Sequence, residues 1–260
     1  LAGKTVYISQ FAMDWKRDKW PWYARLFYRI SNFLTAHIPN GVIFDNIYTR
    51  EYFEKKYKKS FSFIPYGSEI SSIANLDSTV LKTIDVKPGK YLLFVGRFIP
   101  DKGIHLLVEA FKKVKTDMNL VLVGGSPNPS DYEQELYSTA DSRVIFPGFI
   151  YGNDTNYLIK NAYAYIQPSL IEGLSPVILT VMGLGVPLLC SDIVENTFIT
   201  QGNATHFRSN NIVDLQEQLI HILSCHEEIE EKAKMGAINI KRRFNWDNVT
   251  LQYLNLFEKG

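Results

Sequence analysis

The stretch Gln167–Asp192, QPSLIEGLSPVILTVMGLGVPLLCSD, decides the fold. It leaves an apolar strand running from Ala162 to Gln167 and crosses a loop carrying Glu172 and Gly173. Ser175-Pro176 then opens a helix. Serine is a favoured N-cap, and proline suits the first helical position because its missing N–H would have no partner there. The helix is apolar through Val177, Ile178, Leu179, Val181 and Met182 and stops at Gly185, after which Val186–Cys190 reads as a buried parallel strand. A glycine-containing loop feeding a helix N-terminus offers free N–H groups and about half a positive charge, hence an anion site. Many α/β proteins carry such a turn for structural reasons alone, so this stretch by itself leaves both readings open.

Working outward, Tyr91–Ala110, YLLFVGRFIPDKGIHLLVEA, repeats the pattern. An apolar strand ends at Gly96, Arg97 follows at once, and Lys102-Gly103 opens a helix with apolar Ile104, Leu107, Val108 and Phe111. Arg97 thus falls at the carboxyl end of a strand, where open α/β sheets bind ligands. Lys102 at a helix start sets a cation against the dipole, a poor placement for stability that points to a ligand requiring it. Two cations on adjoining strand–helix turns, facing a helix N-terminus, can clamp a diphosphate. The bland alternative is two solvated surface cations.

VGRFIPDKG followed by LL and A, then PS-x-x-EG-x-S-P, a helix and G-V-P, resembles the nucleotide-sugar domain of family 4 glycosyltransferases, which have the GT-B fold. The resemblance covers about Lys90 to Gly260. It implies that Arg97 and Lys102 bind the donor diphosphate, that Glu172 contacts the transferred sugar, and that backbone N–H groups of Gly173, Leu174 and Ser175 meet sugar and phosphates. Gly96, Gly124, Phe149, Ile150 and Thr180 complete the expected donor site, with backbone near Phe149 and Ile150 beside the nucleotide base; Phe149 serves packing equally well. The implied fold class is α/β of GT-B type, a Rossmann-like nucleotide-sugar domain with a parallel sheet plus a partial second Rossmann-like domain. The expected divisions are the end of an acceptor-binding domain (1–66), an interdomain linker (67–89), the donor domain (90–244) and a tail helix crossing back to the first domain (245–260).

Composition sets wider bounds. With 260 residues, 46% hydrophobic, 21% charged and a formal net charge of +1, the chain can hold one large or two small domains. Near-neutral charge gives no support to nucleic-acid binding. Two cysteines, Cys190 and Cys225, suit a reducing cytoplasm better than a disulfide framework. The apolar runs are strand length, far short of a membrane span. The opening LAGKTVYIS lacks a signal peptide's apolar core, and a start on Leu leads us to expect a fragment.

In the first part, Lys4–Ser9 reads as a strand and Pro21 begins a helix of about 15 residues on the spacing of Trp22, Leu26, Ile30, Phe33 and Leu34. The expectation is a core-packed amphipathic helix with solvated Arg25 and Arg29; the alternative is peripheral contact with the inner face of a membrane, which its Trp and Arg/Lys content suits. The order MDWKRDKW, helix, strand, Tyr/Lys-rich helix, IPYG resembles the acceptor-domain end of bacterial polysaccharide rhamnosyltransferases, over roughly Val6 to Ile70. A full GT-B protein would then carry about 100 further residues upstream.

The chain departs from the family pattern twice. The family's second glutamate, eight residues after the first, normally accepts hydrogen bonds from both ribose hydroxyls; here it is Thr180. Losing that bond weakens nucleotide binding by about 1.5–3 kcal/mol, less so for a deoxyribose donor such as a dTDP-sugar. A histidine near the sugar falls at Phe11, with Ala12 for the glycine beside it. The resemblance implies a retaining transfer from a UDP-, dTDP- or GDP-sugar to a glycan or lipid-linked acceptor, without cofactor or metal, since no Asp-x-Asp motif occurs. The rival is a non-catalytic glycosyltransferase-like accessory subunit. A sugar epimerase of GT-B shape would need further acids and a histidine that the sequence does not supply. Glu195, in the run S-D-x-x-E-N, is expected to cap a helix, and His206 to be structural.

Overall fold

The computed structural model describes residues 3–10, 20–68, 78–126 and 130–258. Phe11, Ala12 and the acidic-Trp-Lys-Arg motif lie outside the described residues. The chain divides into two compact units, 1–67 with 244–260, and 68–243.

The first unit is built on three parallel strands in the order β1-β2-β3: β1 (Tyr7–Gln10), β2 (Gly41–Phe44) and β3 (Ser62–Phe63). Helix α1 (Trp22–His37) lies between β1 and β2, and α2 (Ile47–Tyr57) between β2 and β3. Asn46 caps α2, its side chain accepting from the Tyr48 and Thr49 N–H groups. Phe44, Phe53, Val42 and Ala36 form one small core. The stripe that the sequence assigns to the core does not enter it. Trp22 is 76% exposed, and Leu26, Ile30, Phe33 and Leu34 are exposed too, while α1 buries Asn32 and Ala36 instead.

The second unit holds a six-stranded parallel sheet in the order β6-β5-β4-β7-β8-β9. Within 67–89, read from the sequence as a linker with one short helix, residues 78–89 pack into this unit through α3 (Val80–Thr83), with Val80, Leu81 and Val86 buried. There follow β4 (Tyr91–Arg97), α4 (Ile104–Lys112), β5 (Asn119–Gly125), α5 (Asp131–Thr139), β6 (Val144–Gly148), α6 (Asn153–Asn161) and β7 (Ala164–Gln167). Next come α7 (Pro176–Gly183), β8 (Leu188–Ser191), α8 (Val194–Thr200), β9 (Thr205–Phe207), α9 (Ile212–Ser224) and α10 (His226–Arg243). The run YLLF in β4 is fully buried, as a parallel strand covered on both faces requires. Ile104, Leu107, Val108 and Phe111 recur at helical spacing and bury the inner face of α4 against it. The last helix, α11 (Trp246–Glu258), belongs to the first unit, where the Tyr7 hydroxyl donates to Leu256 O at 3.1 Å.

Two glycines let the central strands close up. Gly96 and Gly124 are register partners on β4 and β5, and Gly124 has φ 130°. A Cβ on Gly124 would stand in the carbonyl oxygen of Gly96, 1.9 Å away. Gly124→Ala is therefore expected to lower stability by at least about 2 kcal/mol in urea unfolding. Gly173→Ala, where a Cβ meets nothing within 4 Å, serves as the mild control.

Asp45 makes the first unit pH-sensitive. It is 8% exposed, and its Oδ1 is buried without a hydrogen-bond partner among the described residues. Burial pushes its pKa up to about 7 from 3.8, against the opposing pull of hydrogen bonds from the Asp45 and Asn46 backbone and the Tyr66 side chain. Because the folded-state value is raised, this group's contribution to stability is fully present below about pH 4 and is lost as pH rises through 7, at up to about 1.4 kcal/mol per pH unit. Denaturation midpoints of wild type and Asp45→Asn measured from pH 5 to 8 should diverge, the variant showing the flatter profile; parallel profiles would remove Asp45 as the cause.

Candidate functional site

The strand order reverses direction between β4 and β7, and the carboxyl ends of those two strands form the switch point at which open α/β sheets take ligands. Arg97 ends β4, exposed, its guanidinium making no hydrogen bond or ion pair among the described residues. After it the chain makes a 3-10 turn at Pro100–Lys102, and Gly103, with φ 65°, caps α4. Lys102 thus lies just outside the helix that the sequence has it opening. Its charge is also answered, because Nζ donates to Glu172 Oε1 at 2.5 Å.

That contact ties the β4–α4 turn to the loop after β7. Leu170 N–H donates to Asp101 O at 2.8 Å, and a Cβ on Gly103 would collide with Pro168 O at 2.1 Å, so glycine is needed there on two counts. Glu172 Oε1 accepts two further bonds, from Gln167 Nε2 and Ser169 Oγ, both at 2.6 Å. The side chains of Lys102 and Glu172 are 19% and 8% exposed.

The network continues inward. Ser191 Oγ donates to Ser169 O at 2.5 Å, and the fully buried Asn196 donates to Ser191 Oγ and O, both at 3.0 Å. On the other side the Tyr165 hydroxyl accepts from Val95 N–H at 3.1 Å and lies within donating range of Gln167 Oε1 at 3.1 Å. Burial pushes the Tyr165 hydroxyl pKa up, which keeps it a neutral relay. Gln167, Ser169, Ser191 and Asn196 were not selected from the sequence. The signal for Gln167, Ser169 and Ser191 is polar residues at the ends of apolar strands, which can only sit there if hydrogen-bonded; Asn196, on α8, has no such signal.

Beside this network opens a cavity of ≈ 610 Å³, within the range that holds small-molecule ligands. Of the residues selected from the sequence, Gly96, Arg97, Gly124, Phe149, Ile150 and Thr180 line it. Lys102, Glu172, Gly173, Leu174 and Ser175 do not, and Leu174 and Ser175 are buried. Ser175 occupies the N-cap of α7, but its hydroxyl makes no cap bond. Thr180 Oγ1 turns back to donate to Pro176 O at 3.2 Å. Glu195 lies in the first turn of α8, whose N-cap is Ile193. His206 pairs with Thr200 Oγ1 through Nε2 at 2.9 Å, and burial lowers its pKa. Phe149 and Tyr151 hold parallel rings, 5.9 Å between centroids and 3° apart, at the mouth of the cavity. They ride on a loop bounded by Gly148 and Gly152, which have φ 78° and 61°.

Parallel Rossmann-like sheets with charged groups at the switch point place the chain among GT-B glycosyltransferase folds. The structure of Anabaena HepE in complex with UDP superposes with a TM-score of 0.86 at 17% identity, over 99% of this chain and 73% of that one. The chain belongs to the family described as Glycosyl transferases group 1, whose profile matches residues 89–225. Among its relatives, the O-antigen chain mannosyltransferase B of Escherichia coli is 28% identical over 176 residues, 65% of this chain and 45% of that protein. An uncharacterized glycosyltransferase of Methanocaldococcus jannaschii is 28% identical over 177 residues, again 65% and 45%. The chain spans about half the length of these curated relatives.

A double-mutant cycle on Lys102→Met and Glu172→Gln, read by urea unfolding, should give a coupling of about 1–3 kcal/mol. Strict additivity would show that the contact contributes nothing to the fold.

Proposed function

We propose that this chain forms the donor half of an enzyme that moves a sugar from a nucleotide-diphosphate donor to a glycan or lipid-linked acceptor with retention of configuration. The observation that carries the reading is that Arg97 ends β4 and lines a ligand-sized cavity, while the Lys102–Glu172 pair ties the turn after β4 to the loop after β7. Arg97 and Lys102 bind the diphosphate, and the N-terminus of α7 adds its partial positive charge. As the bond from sugar to diphosphate breaks, negative charge builds on the leaving oxygens, and these fixed cations stabilise it without a metal. Lys102 must then share itself between Glu172 and phosphate. Glu172, oriented by Gln167 and Ser169, contacts the sugar while the acceptor hydroxyl attacks from the face the diphosphate leaves. Backbone groups of Gly173, Leu174 and Ser175 meet sugar and phosphates, and those near Phe149 and Ile150 read the base. Thr180 offers the ribose no carboxylate, which favours a deoxyribose nucleotide. The functions of the relatives, O-antigen mannosyl transfer above all, support a polysaccharide product, and two thiols without a disulfide fit a cytoplasmic setting.

Calorimetric titration with UDP, dTDP and GDP tests this. One nucleotide should bind at micromolar Kd, dTDP ahead of UDP, with Arg97→Ala and Lys102→Ala each losing at least about tenfold, the scale of one charge-assisted bond. A folded wild-type chain that binds none of the three would move the reading to a non-catalytic accessory subunit.

The outward stripe of α1 supports peripheral membrane contact. Trp22, Tyr23, Phe27 and Ile30 are exposed, and among the described residues no helix is long and apolar enough to cross a membrane. Cosedimentation with anionic lipid vesicles should be several-fold weaker for Trp22→Glu with Ile30→Glu than for wild type; equal pelleting would retire the idea.

A further inference from the structure

At the joint between α9 and α10, away from the cavity, His221, Cys225 and Glu228 bring one ligand atom each within 4.8 Å of one another. We infer that this joint is a binding site for a zinc-class divalent cation, with His221, Cys225 and Glu228 as its three protein ligands.

The geometry is set by the backbone. His221 and Cys225 are four residues apart on one helical face, and the Cys225 N–H donates to His221 O at the end of α9, which fixes their register. The chain then turns at once into α10, whose first turn carries Glu228 back towards them. Glu228 Oε2 stands 3.4 Å from His221 Nε2. Bonds of about 2.0–2.3 Å in a tetrahedral centre put neighbouring donor atoms roughly 3.5 Å apart, so this pair already has the required spacing, and the other pairs, within 4.8 Å, would have to shorten on binding.

The surroundings suit the role. Lys232 donates to Glu228 Oε1 at 2.7 Å, which orients the carboxylate and leaves Oε2 turned to the imidazole. Cys225 is a free, half-buried thiol, whereas Cys190 is fully buried in β8. One thiolate, one imidazole and one carboxylate form a borderline-soft set that selects zinc over calcium or magnesium. Binding releases the thiol proton to solvent and leaves a fourth position open. The site would also brace the fold where it matters, because α10 packs on α7 with Gly236 against Met182, and α7 borders the cavity.

Tag-free protein is titrated with Zn²⁺ alone against a chromogenic chelator, and with Co²⁺ as a spectroscopic probe. The expected result is one ion per chain and a thiolate-to-cobalt charge-transfer band. Cys225→Ser and His221→Gln should weaken binding at least about tenfold and Glu228→Gln several-fold, while the neighbouring His226→Gln leaves it unchanged. Circular dichroism verifies that each variant is folded. Absence of the band in wild-type protein, or zinc binding that survives both Cys225→Ser and His221→Gln, would mean an adventitious ion only and would overturn the assignment.

Discussion

A single carboxylate oxygen, Glu172 Oε1, receives Lys102, Gln167 and Ser169 together. Three donors on one acceptor make sense only where the alternatives are worse. Gln167 and Ser169 are buried at the end of a strand whose other positions are apolar, and an unpaired amide or hydroxyl there would lose its water without replacement. The lysine brings the balancing charge, and with it the turn before α4 is drawn to the loop after β7. Those two connections follow strands that are neighbours in the sheet although β5 and β6 lie between them in the chain, so the contact closes the site as the sheet itself closes.

The position of Lys102 then has a physical reason. A cation just outside a helix is poorly served by the helix dipole, but beside a largely buried carboxylate it is well served. The same pair pins the loop 168–175 to the turn before α4 without any regular structure. Tyr165 and Asn196 carry the hydrogen-bond network on to β4 and to α8.

Much of this was legible in the sequence because it rests on periodicity and punctuation. The helices 131–139 and 153–161 begin directly after Ser130 and Gly152, punctuation that the sequence displays locally. The strand YLLFVG and the run of α4 are unambiguous because every inward position is apolar. What sequence could not give was pairing across distance. The three donors of Glu172 come from two separate stretches, and nothing local marks Gln167 or Ser169 as more than strand-end polarity. Helix α1 misled for the opposite reason, because its apolar spacing is real but names a face without saying what covers it. Ser175 likewise satisfies the rule for an N-cap position while its hydroxyl does not perform the bond.

The closeness of Gly96 to Gly124 bears on how such a cavity can change over generations. At Gly124, which lines the cavity, no side chain fits without displacing the carbonyl group of Gly96. A side chain at position 124 would have to displace main chain to fit, whereas exchanges at Phe149, Tyr151 or Thr180 change only the lining of the cavity and leave the sheet beneath it as it is.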